Sequence, residues 1–241
     1  MNVTPDQTVY VDWGFVKLNA TLVFSWLTML LLVLGSWLIT RRITATSDLT
    51  PGQNLMEVLV KGMESQIEEI SQERPRRYLP FVGTLFVYIA VCNILSVVPW
   101  YEAPTGSLST TAALAVCVFV AVPYYGIRHV GIGSYLKQYV KPNPMMLPFN
   151  IIGELSRTLA LAVRLFGNIM SGSMIVAILL AIAPLFFPVV MHALGLLTGL
   201  VQAYIFAVLA MVYIASASKA RRDKAQAEED SSDAEDSEGE S

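Results

Sequence analysis

Arg157, Ala160, Arg164, Asn168 and Ser171 follow one another at intervals of three or four residues. On a helix that spacing sets two guanidiniums, an amide and a hydroxyl along one stripe. Their surroundings make the charge costly, because residues 158–218 run 61 positions with Arg164 as the single charged side chain. A guanidinium at membrane depth costs between about 2.5 and about 17 kcal/mol and cannot shed its proton. Arg164 therefore requires a partner or a water-lined path. Across residues 78–218 the only acids are Glu102 and Glu154, and Glu154 lies ten residues back, about 15 Å down the same helix. Neither neutralises Arg164 directly. Backbone, amides and water are one way to satisfy it; a carboxylate from another polypeptide or a passing ligand is the other, and is favoured.

Gly195, Thr198, Gly199 and Gln202 form a second small and polar stripe, with GxxxG spacing between the glycines. Gly167 and Gly172 border the first stripe, and close helix packing is reason enough for glycines of this kind. An antiparallel turn through APLFFP, residues 183–188, brings Gln202 within one or two helical turns of the depth of Arg164 and Asn168. A buried amide there can orient a guanidinium or line a hydrated path.

The elements that must position these residues lie in a membrane. Of the 241 residues 54% are apolar and 15% charged, and the mean hydropathy is +0.55, outside the range of a soluble domain. The expected fold is all-α with about five transmembrane crossings at 18–40, 78–99, 110–127, 149–182 and 189–218. The last two form a hairpin of long helices that must tilt, since about 30 helical residues reach about 45 Å against a core of about 30 Å. Residues 53–72 predict an amphipathic helix on the cytoplasmic surface, with Met56, Leu59, Val60, Met63, Ile67 and Ile70 on its apolar face. Trp100, Tyr101, Tyr124 and Tyr125 suit interfacial belts.

With the N-terminus outside, the basic residues of 41–77, Arg128, Lys137, Lys141 and the cluster at 219–224 all fall inside, leaving Lys17 outside. The first span lacks a basic start and a cleavage site, so it reads as retained. Domain organisation follows: an extracytoplasmic segment 1–17, one helical bundle 18–218, and a cytoplasmic acidic tail 219–241 expected to be disordered. Cys92 and Cys117 sit in apolar runs as small hydrophobes, and no metal spacing or cofactor motif is present. His129 and His192, the only histidines, lie toward opposite sides of the membrane and make no catalytic constellation.

The segment ELSRTLALAVRLFGNIMSG, residues 154–172, with VQAYIFAVLAMVYI at 201–214, resembles subunit a of the F-type ATP synthase, the membrane stator beside the rotating c-ring. VGTLFVYIAVCNILSVVP and EAPTGSLSTTAAL support the match, which covers roughly residues 50–215. The resemblance implies a non-catalytic, ion-translocating subunit of a bacterial plasma membrane, in contact with lipid, the c-ring and the b subunits of the peripheral stalk, and not with nucleic acid. It implies that Arg164 faces the c-ring carboxylates and separates two offset half-channels. Asn168 and Gln202 match polar positions near that arginine, and Glu154 with Arg157 would lie toward the cytoplasmic half-channel. Ser171, Ser173, Gly195 and Thr198 are the remaining expected lining.

Departures from the family pattern concern the outer path. Many members carry a carboxylate or histidine where this chain has Ser173, often with a His, Glu or Gly near Gly195, and an acid and an amide where it has Ser107 and Ser109. An outer path lined by hydroxyls, amides and water, without a titratable relay, is thus expected, with His192 a turn or interface residue. Such a path is similar to that of sodium-type F-ATPases. A stand-alone secondary transporter would show internal repeats, and none is found; an intramembrane enzyme would need a nucleophile and base or a metal cluster.

Overall fold

The structure, a computed structural model, describes residues 9–13, 16–41, 51–71, 75–98, 101–130, 147–182 and 187–239. The inner-loop residues Lys137 and Lys141, Trp100, and most of the APLFFP turn lie outside the described residues. Among the described residues six helices dominate: α1 (Ala20–Thr40), α2 (Pro51–Ser71), α3 (Leu79–Leu95), α4 (Leu108–Val130), α5 (Leu147–Ile182) and α6 (Phe187–Gly239). Single 3-10 turns at Pro75–Arg77 and Pro104–Gly106 precede α3 and α4.

Four of these helices carry stretches long and apolar enough to cross a membrane: Ala20–Leu38, Leu108–Ile127, Ile151–Ile182 and Val189–Ser216. The crossing expected at 78–99 is a shorter apolar helix of 17 residues. Its chain continues in turn bonds, with Ser96 N donating to Cys92 O and Val98 N to Leu95 O, so the backbone donors stay satisfied past the helix end.

Ahead of the bundle, β1 (Val9–Trp13) and β2 (Val16–Asn19) pair antiparallel, Val11 opposite Leu18 and Trp13 opposite Val16. The β-branched and aromatic residues of VYVDW favour that pairing. Helix α6 runs on past the apolar span to Gly239. Ala, Lys, Arg, Gln and Glu predominate just after residue 218, all strong helix formers, and neither Pro nor Gly interrupts them before Gly239.

The core is built from α3, α4, α5 and α6. Ile89 and Cys92, Ala115 and Val118, Leu161 and Leu165, and Ala203 and Phe206 bury one against another. Small residues recur at these contacts because lipid is as apolar as leucine, so close approach rather than hydrophobicity joins the helices. α1 lies against this core by Thr21, Ser25 and Thr28, and the Thr28 hydroxyl meets Tyr101 Oη at 2.7 Å.

α2 docks on the opposite region through a second cluster in which Ile67 packs with Val82, Met211 and Ile214. Val60, expected on that apolar face, is exposed, as are Leu55 and Val58; one face of α2 packs and a second apolar edge does not. The Tyr204 hydroxyl donates to Gln66 Oε1 at 2.7 Å and pins α2 to α6. Tyr204→Phe is expected to cost about 0.5–1 kcal/mol and to speed amide exchange across residues 51–71. Unchanged exchange there would mean that apolar contacts alone hold α2.

Candidate functional site

α5 forms because residues 147–182 contain no interior glycine cluster or proline strong enough to break a 36-residue run, and its faces divide cleanly. Leu161, Ala162 and Leu165 are buried against the bundle. Arg157, Ala160, Arg164 and Ser171 are exposed and Asn168 is half-buried, so the stripe read from spacing exists and points away from this chain's own core. Among the described residues Arg164 has no ion-pair or hydrogen-bond partner, in contrast to Lys61, which pairs with Glu57 at 2.6 Å on α2.

Hydroxyls along the helix are held by their own backbone. Thr158 Oγ1 donates to Glu154 O at 3.0 Å, Ser171 Oγ to Asn168 O at 3.2 Å, and Ser173 Oγ to Met170 O at 2.8 Å. Their single protons are used in this way, which leaves oxygen lone pairs to face outward.

Two amides tie α5 and α3 to α6. Asn168 Nδ2 reaches Thr198 O at 3.4 Å, and Asn93 Nδ2 donates to Gly199 O at 2.8 Å. Asn93 is buried inside α3, and a Cβ on Gly199 would lie 2.8 Å from its Cγ. Gly199 therefore serves close approach, as the GxxxG spacing implied. Gln202, one turn further along, is 7% exposed and its Nε2 is buried without a hydrogen-bond partner. It faces inward with Ala203 and Phe206, whereas Arg164 faces outward.

A cavity of about 270 Å³ opens at the end of the bundle where α3 ends, α4 begins and α5 approaches α6. Asn93 and Ser96 line it from α3, Tyr101 and Glu102 from the following loop, Asn168 and Ser173 from α5, and His192 and Gly195 from α6. Its deepest α5 residue, Asn168, lies one helical turn, about 6 Å along the axis, from Arg164.

Ser107 and Ser109 are not among the residues that line this cavity: Ser107 is fully buried, and its Oγ accepts from Ser109 N at 3.2 Å and meets Ser109 Oγ at 2.6 Å, capping the start of α4. Titratable groups line it, Glu102 and His192 among them. Ser171, Thr198 and Gln202 are not part of the lining, whereas Asn168, Ser173 and Gly195 are.

Glu154 and Arg157 lie toward the other end of α5. The Arg157 guanidinium sits 5.8 Å from the centroid of the Tyr213 ring, a cation–π contact with α6. Asn93 and Ser96 escaped the sequence reading; the one available signal was an amide inside the apolar run of α3.

Comparison with known proteins bears on the whole chain. Residues 22–215 match the family described as ATP synthase A chain. The chain is 62% identical over 219 residues to ATP synthase subunit a 2 of Acaryochloris marina, covering 91% of this chain and 94% of that protein. It is 58% identical over 224 residues to ATP synthase subunit a of Albidiferax ferrireducens, covering 93% and 97%. To ATP synthase subunit a of Nitrosospira multiformis it is 57% identical over 230 residues, covering 95% and 92%.

Proposed function

Because the chain belongs to the ATP synthase subunit a family, the ion-translocating membrane subunit of F0, we propose that Arg164 is the charge that couples its ion flow to a rotating c-ring. One observation carries this reading: Arg164 stands on the outward stripe of α5, in an uncharged run, with no partner among the described residues. A carboxylate on the facing ring subunit supplies the missing counter-charge. Ions reach the ring through the cavity that ends at Asn168, and leave through a second path on the side of Glu154 and Arg157. Arg164 lies between the two and blocks direct leakage. The test is substitution of Arg164 in the assembled complex, read as ATP-driven ion uptake.

The subunit crosses the membrane about five times with the N-terminus outside and the C-terminus in the cytoplasm, on the asymmetry of Lys and Arg. The spans of α5 and α6, 32 and 28 residues, tilt, because a perpendicular helix of that length overshoots the hydrocarbon core. ATP chemistry belongs to other subunits, and the b subunits of a peripheral stalk hold this one against rotation. Ser173 and Gly195 bring no titratable group to the cavity, the feature behind the sodium-type expectation. Glu102 and His192 line the same cavity, and transport measurements decide between proton and sodium. ATP-driven uptake that is unchanged when sodium is removed, at neutral and at alkaline pH, identifies the proton as the ion.

Gln202 supports this site from inside the bundle. Its buried Nε2 lacks a protein acceptor, and a buried water completes it. Gln202→Leu is expected to slow ATP-driven uptake about three- to tenfold, the equivalent of one lost hydrogen bond. Wild-type rates in that variant would reduce Gln202 to a packing residue.

A further inference from the structure

The cavity beside Asn168 collects more chemistry than its place in an apolar bundle accounts for. Residues 78–218 contain two acids, and one of them, Glu102, lines it; the chain contains two histidines, and one of them, His192, lines it as well. They come from separate elements, Glu102 from the loop after α3 and His192 from the first turns of α6. The amides of Asn93 and Asn168 and the hydroxyls of Ser96 and Ser173 complete a polar lining from Glu102 down to Asn168. Tyr101 is the one further titratable group there, and α3 and α5 add none.

We propose that Glu102 is the cation-capture group of this chain, and that His192 is its proton-exchanging partner in the same cavity. This rests on the reading of Arg164 given above and extends it to residues that the RLFGN motif does not include. A carboxylate at the mouth of a low-dielectric cleft raises the local concentration of a cation, and the amides and hydroxyls below it pass the cation to Asn168 without a second fixed charge to trap it. An imidazole in the same cavity can take up and release a proton in each passage, with no net chemistry. The shared chemistry is a monovalent cation, proton or sodium.

The test uses the assembled complex in membrane vesicles, with the amount of subunit measured by immunoblot. Initial rates of ATP-driven uptake are followed with a pH-sensitive dye and with radioactive sodium, which separates the two cations. Glu102→Gln is expected to lower the rate about tenfold, Glu102→Asp to retain most of it, and Ser173→Glu to restore Glu102→Gln several-fold by returning a carboxylate to the same cavity. Should Glu102→Gln deplete the subunit from the membrane, His192→Gln carries the test and is expected to slow proton uptake. A wild-type rate in Glu102→Gln, or an equal loss in Glu102→Asp, overturns the proposal. Arg164→Ala in parallel separates the two claims: its loss of uptake beside an unaffected Glu102→Gln sinks only the capture group, whereas its continued uptake sinks the coupling role of Arg164.

Discussion

Arg164→Ala abolishes coupled ion transport, by at least about 100-fold, while the subunit remains in the membrane at its usual amount. The expectation follows from where the charge stands. Leu161, Ala162 and Leu165 hold α5 in the bundle from the opposite face, so truncating an outward side chain removes no core contact and leaves no cavity. What it removes is the only fixed charge in residues 158–218. A hundredfold loss corresponds to about 2.7 kcal/mol, modest for a guanidinium–carboxylate pair in a dry interface. Arg164→Lys should fail nearly as completely. Lysine keeps the charge but loses the planar fork that engages a carboxylate with two donors, and it can surrender its proton when desolvated. ATP-driven uptake and ATP synthesis measure both variants. An alanine variant that pumps at a tenth of the normal rate or better would remove Arg164 from the mechanism.

Gly199→Leu is expected to break the packing that positions the site. Even the first added carbon would fall 2.8 Å from Asn93 Cγ and 3.0 Å from its Oδ1, and the crowding atoms belong to a short, buried side chain in the last turn of α3. α3 and α6 must then separate, and the Asn93 Nδ2 bond to Gly199 O is lost with them. Overpacking costs about 1–3 kcal/mol, and a stranded buried amide adds about 1–3 kcal/mol. A marked fall in thermal stability in detergent, with loss of ion uptake, is the expected outcome. Asn93→Ala in the same chain should recover part of that stability by making room. Gly195, with open space around it, provides the contrast: Gly195→Ala should leave stability unchanged. Equal losses at both glycines would contradict the packing account.

Hydropathy alone locates the spans of α1, α4, α5 and α6, because long apolar runs have few other readings, and the stripe of Arg164 follows from helical spacing. The helix α2 is equally legible, except that Val60 lies on an edge the docked face leaves exposed. Other features depend on contacts that no local pattern encodes. Asn93 looks like one tolerated amide in VYIAVCNIL; its role comes from a carbonyl 106 residues away. Glu102 reads as a loop acid until the turn at Pro104–Gly106, with Gly106 3.4 Å from Ile169 measured from an added Cβ, sets that loop against α5. The hydroxyls at Ser107 and Ser109 fit a path as well as they fit a helix cap, and the bond that makes the cap, Ser109 N to Ser107 Oγ, is not legible from their spacing. The hairpin at Val9–Asn19 pairs two strands too short to register as alternation.

Cysteine cross-linking to the ring subunit tests the central claim most directly. In a chain whose free Cys92 and Cys117 are changed to alanine, single cysteines at Ala160 and Ser171, on the exposed stripe that flanks Arg164, are paired with a cysteine next to the ring carboxylate. A cysteine at Val120, exposed on α4, serves as the reference. Disulfides that form from Ala160 and Ser171 and not from Val120 are the predicted result; no cross-link from the stripe, or one equally strong from Val120, would contradict a ring carboxylate facing Arg164.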